Sequence, residues 1–61
     1  MLKINEKYTV QPISVDLGDG IILKQDEVIK VIDIKGSLIT FEQENGQTNT
    51  VPKMALEFVV E

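Results

Sequence analysis

Ser14, Ser37 and four threonines are the hydroxyls that a nucleophilic mechanism would use, and the chain has neither cysteine nor histidine to set beside them. A hydroxyl attacks only when a base takes its proton. Lysine can serve as that base at a Ser-x-x-Lys spacing, but Leu17 stands three residues beyond Ser14, and Thr40 three beyond Ser37. Carboxylates are more plentiful. Asp16 and Glu27 occupy the first and twelfth places of a loop as long as a calcium-binding EF-hand loop. Its third and fifth places, however, are Gly18 and Gly20, which lack side-chain oxygens, and its sixth is Ile21 where glycine is required. Gly18-Asp19-Gly20 shares only its glycines with a phosphate loop: it leads into an apolar run, and Asp19 puts a negative charge where the anion would sit. Paired carboxylates for acid–base work need a cleft, and a small barrel fills its interior with side chains. The sequence therefore predicts a protein that is not an enzyme, with no metal and no cofactor.

Charge narrows the partners. Ten acidic residues against six lysines leave a net charge of −4, and arginine is absent. Phosphate binding needs a basic patch and base reading leans on the guanidinium fork, so a nucleic-acid-binding module ranks third among the readings. The expected partner is a protein with a basic or neutral surface. Asp16 and Asp19 could set that choice by pairing with its cations. The plainer alternative, which the Asp-Gly pair favours, makes Asp16 a solvated strand residue and Asp19 a turn former, the acidity serving solubility.

With 61 residues there is room for one domain only, spanning 1–61, with 1–6 as a looser N-terminal segment. An apolar share of 43% suffices for a core, and the missing Cys and His exclude disulfides and structural zinc as supports. Packing or self-association must stabilise the fold. No apolar run reaches the length of a leader core or a membrane span, so a cytoplasmic location is expected. The bias to Lys, Ile and Asn without Arg suggests an AT-rich genome, and a stand-alone chain of this kind suits a bacterium or a phage.

No helical stripe of useful length is evident, and β-branched residues cluster in short runs between turn signals, an all-β pattern. Strands are expected at 7–10, 28–34, 38–42, 48–51 and 57–60. Between the first two lies an excursion with two arms, Ile13, Val15 and Leu17 alternating with Ser14 and Asp16 on the way out, Ile21-Ile22-Leu23 on the return, and Gly18-Asp19-Gly20 at the tip. The 28–34 run is so nearly continuous in apolar residues that it must be covered on both faces, or change the face it buries as it bends. Asn45-Gly46 is a hairpin signal. Pro52 opens a segment, 52–56, too short for a stable α-helix and suited to one 3₁₀ turn.

This order of elements resembles the SH3 plan across residues 8–60. The match is best in Gly46-Gln47-Thr48-Asn49-Thr50-Val51-Pro52-Lys53-Met54-Ala55-Leu56, which resembles the stretch from distal hairpin to Pro-initiated 3₁₀ turn, and in Ile21-Ile22-Leu23-Lys24-Gln25-Asp26-Glu27-Val28-Ile29, which resembles the diverging turn. The resemblance implies a five-stranded SH3-like barrel with a 3₁₀ turn before its last strand, and a protein-binding role. It does not carry over the groove for proline-rich peptides, whose walls are aromatic. Of that groove only Pro52 remains, Ala55 stands where the turn would offer a ring, Leu38 takes the tryptophan's place, and the chain has no Trp. Met1-Leu2, Asp26-Glu27-Val28 and Lys35-Gly36 also look somewhat like the small RNA-binding carbon storage regulators. The arginines of their RNA contact are missing here, so that likeness carries over only an interleaved dimer.

Exposed apolar residues are the remaining pointer. A surface cluster of Leu38, Met54, Phe58 and Val60 would mark an interface. The more ordinary arrangement puts Phe58 and Leu38 in the core with Met54 covering one end. The leading expectation is a protein-interaction module that docks through the long loop and the 3₁₀ end, with Asp16, Asp19, Leu38, Pro52 and Met54 as its partner-binding residues. An assembly factor or an inhibitor of a host protein would fit. The alternative is a structural subunit that forms a homo-oligomer through an open barrel edge.

Overall fold

A computed structural model describes residues 2–12, 14–18 and 20–60, so that Ile13 and Asp19 of the long loop and both terminal residues lie outside the described residues. The elements are β1 (Lys7–Thr9), β2 (Val15–Asp16), β3 (Ile22–Leu23), β4 (Val28–Lys35), β5 (Leu38–Glu42), β6 (Thr48–Pro52) and α1 (Lys53–Val59). The fold is mostly β. Four strands form an antiparallel sheet in the order β1-β4-β5-β6, and β2 and β3 form a separate hairpin.

Among the described residues the two sheets do not close into a barrel, and the fifth barrel strand expected at 57–60 is absent. Helix α1 takes its place, and likewise replaces the single 3₁₀ turn expected at 52–56. Met54, Ala55, Leu56 and Glu57 are all good helix formers. Leu56 and Val59, three residues apart, both face the core. A seven-residue helix is marginal by itself, and it is tertiary anchoring that holds this one. Lys53 N donates to Ser37 O at 2.7 Å at its start, and Gln11 N donates to Val59 O at 2.9 Å at its end. Only Val60 returns to extended backbone, where it forms an isolated bridge with Val10.

The core lies between the inner face of the large sheet, the hairpin and the helix. Alternation puts Ile29 and Val31 of β4 and Ile39 and Phe41 of β5 on one face, all fully buried together with Leu23 and Leu56. The continuous apolar run of β4 is resolved by a bulge between Val31 and Asp33. The extra residue, Ile32, is left partly exposed while Ile34 turns back against the core. The strand thus changes phase instead of being covered on both faces.

Two turns depend on glycine. Lys35 pairs with Leu38 across a two-residue connection in which Gly36 takes φ +58, as a type II′ turn requires of its first central residue. In the β5–β6 hairpin Gly46 N donates to Gln43 O at 2.9 Å and Gln43 N to Gln47 O at 2.8 Å. The loop therefore has three residues, with φ +88 at Gly46 alone and not at Asn45. Residues ahead of β1 lie against β4: Leu2 is buried, and Asn5 N donates to Val31 O at 2.7 Å.

Candidate functional site at the helix end

Leu38 and Pro52 sit directly opposite each other in the β5–β6 ladder. Their inward neighbours Ile39 and Val51 are buried, so Leu38 and Pro52 both stand on the outer face. Helix α1 continues from Pro52 and packs chiefly on β6 and β5. At about 100° per residue, a helix with Leu56 and Val59 inward must turn Met54 and Phe58 outward, and these two, four residues apart, share one stripe. Phe58 is 76% exposed, Met54 71% and Leu38 47%. This corrects the expectation that Phe58 and Leu38 belong to the core. The sequence did contain the signal: Phe58 is out of phase with the pair Leu56 and Val59 and in phase with Met54, a pattern hidden when the segment is read as a strand.

The patch has relief. A shallow cleft of about 320 Å³ is lined by Gly36, Ser37, Pro52, Lys53 and Met54, and a second of about 330 Å³ by Met54, Glu57 and Phe58. Met54 is the ridge between them. Phe58 projects from a fixed backbone, because the Gln11 side chain donates from Nε2 to Phe58 O at 3.1 Å beside the main-chain bond to Val59. These bonds satisfy carbonyls that a helix end would otherwise leave without partners.

Of the residues singled out from the sequence, the fold brings Leu38, Pro52 and Met54 together and places Asp16 elsewhere, on the β2–β3 hairpin. The Asp16 carboxylate accepts from Gly18 N at 2.8 Å, across the first bend of the tip, where Ile21 N also donates to Gly18 O. That is an Asx turn, a local structural task for this side chain. Asp19 lies outside the described residues.

A further cleft, of about 370 Å³, opens at the other end of the β5–β6 hairpin and is mostly polar. At its floor Glu27 is only 6% exposed and Gln43 8%. Glu27 accepts from Lys24 N at 3.0 Å, Glu44 N at 3.2 Å and Gln43 Nε2 at 3.4 Å. Gln43 also donates to Ile22 O at 3.1 Å and accepts from Asn49 Nδ2 at 3.0 Å. These bonds tie the 24–27 turn and the β2–β3 hairpin to the β5–β6 hairpin. Among the described residues no buried side-chain polar atom lacks a partner, and no group of three or more acidic, His or Cys side chains could hold a metal ion. No helix there is long and apolar enough to cross a membrane.

Comparison of the chain with protein families, with curated proteins and with solved structures gives no match.

Proposed function

We propose that this chain is a non-enzymatic protein-interaction module that docks on a protein partner through the end formed by Leu38, Pro52, Met54 and Phe58. One observation carries the reading: two large apolar side chains, 71% and 76% exposed, project side by side from a helix whose backbone is anchored at both ends. Solvent-facing apolar groups on a fixed frame cost little conformational entropy to bury, which is what an interface anchor requires. Burying a Phe side chain fully contributes about 1.5–3 kcal/mol. The order of elements and the Val10–Val60 bridge, which joins the residue after β1 to the residue after α1, support reading the fold as an open relative of the SH3-like barrels. The reading places the docking residues on the outer side of the helix and not in an aromatic groove. Asp16, with its carboxylate engaged at Gly18, is secondary in it.

The test compares proteins retained by the immobilised chain with those retained by the double variant Met54→Ser, Phe58→Ser, at equal thermal stability. Specific retention by the unaltered chain alone is expected, and equal retention by both would sink the reading. A second reading, a structural subunit that adds strand to strand, is favoured by β6, which among the described residues pairs with β5 alone and carries uncharged Thr48, Asn49 and Thr50 along its edge. Oligomers that persist in the double variant would favour it.

A further inference from the structure

We infer that the occupant of the helix end is a second copy of this chain, docked about a two-fold axis that sets α1 antiparallel to its counterpart. The inference rests on reading that end as an interaction face. Knob and hole occur together there. Phe58 projects at 76% exposure, and one helical turn away lies the cleft of about 320 Å³ between Pro52, Met54 and Gly36. A two-fold axis perpendicular to the helix, passing between the two copies opposite its middle, lays Phe58 of each copy over Met54 and into the adjoining cleft of the other. This is the reciprocal contact an isologous interface demands, and thioether against ring is a favourable pairing.

The rim charges agree. The chain carries −4 overall, but beside this patch both signs are present: Lys53 lines one cleft, Glu57 lines the other, and Lys35 stands opposite Leu38. A strongly basic partner would meet Lys53 at the cleft and Lys35 beside Gly36. A second copy in antiparallel arrangement brings each Lys53 toward the opposing Glu57, giving two equivalent opposite-charge pairs. The apolar area on offer is on the order of 400 Å² per copy, below the roughly 800 Å² per partner of a standard stable interface. The dimer is therefore reversible, with a Kd on the order of 10–100 µM.

Sedimentation equilibrium of the purified chain tests this. The unaltered chain is expected to dimerise reversibly, and Phe58→Ser to weaken association by at least ~10-fold; in solutions dilute enough that both are monomeric their thermal midpoints should agree, since this side chain is mostly in water. The sharper arm uses charge. Lys53→Glu and Glu57→Lys each create two like-charge pairs across the axis, so each variant alone associates about 10-fold more weakly. An equimolar mixture of the two regains association as a heterodimer with both pairs restored. Both substitutions suit the helix dipole, acid at the start and base at the end, so folding does not limit the test. A mixture that associates no better than its components overturns the inference, as does a dimer indifferent to Phe58→Ser. A chain that stays monomeric to ~1 mM overturns it too. Should that monomer retain another protein in a Phe58-dependent way, the docking face survives and only its occupant changes. Should retention ignore Phe58, the docking face fails as well.

Discussion

The two ends of the β5–β6 hairpin invert each other. Near its turn a carboxylate and two amides, Glu27, Gln43 and Asn49, are drawn inside or half inside and bonded to one another or to backbone. At the far end Leu38, Met54 and Phe58 stand in water. A polar group drawn out of water must exchange its solvation for hydrogen bonds, and the three donors around Glu27 supply them. The polar end thus works for the fold, while the apolar end is left over by it. Chemistry that a fold does not consume is where an outside partner finds purchase.

The contrast can be broken by substitution. The largest effect is expected for Glu27→Ala, which strips Lys24 N and Glu44 N of their side-chain acceptor and leaves Gln43 Nε2 with Ile22 O alone. It should cost about 3 kcal/mol, lowering the thermal midpoint by roughly 20 °C, as calorimetry would show. A loss under 1 kcal/mol would mean that the node is ornamental. Gln43→Ala removes bonds to Ile22 O and Asn49 and should cost about 2 kcal/mol in urea unfolding. Asp16→Ala, which gives up only the Asx bond to Gly18, is expected to cost about 0.5–1 kcal/mol. Phe58→Ser should fall within about 0.5 kcal/mol of the unaltered chain. A clear destabilisation there would show that the ring contributes to the monomer and would erase the difference between the two ends.

How much of this was legible in the sequence depended on whether the signal was local. β5 was read with its observed bounds and β4 and β6 to within one residue, because runs of β-branched residues between Gly-containing turns need no tertiary information. The helix was missed because seven residues give too little periodicity, and Phe58-Val59-Val60 has the composition of a strand. What decides between them is the anchoring by Ser37 and Gln11, residues distant in sequence. Glu27 offered no sign of burial: it stands in a polar turn, and its partners Gln43 and Glu44 are 16 and 17 residues away. The fold places Leu38 opposite Pro52 and Met54 in one cleft with Pro52, neighbours that the β4–β5 turn and the Pro52 segment imply. The exposure of Phe58 is legible only once the segment is read as a helix.

The bridge between Val10 and Val60 has a bearing on the order in which the molecule is made. Strands β4, β5 and β6 join their neighbours through short turns, so that meander can form with little loop entropy to overcome. The bridge instead closes a loop spanning nearly the whole chain, and α1 gains its C-terminal anchors only when that loop is shut. Attachment of the helix is thus expected late on the folding route, with φ-values near zero for conservative changes at Val60 and Val59 against fractional ones at Ile39. The surface that bears Phe58 would then be the last part of the chain to become rigid and the first to let go.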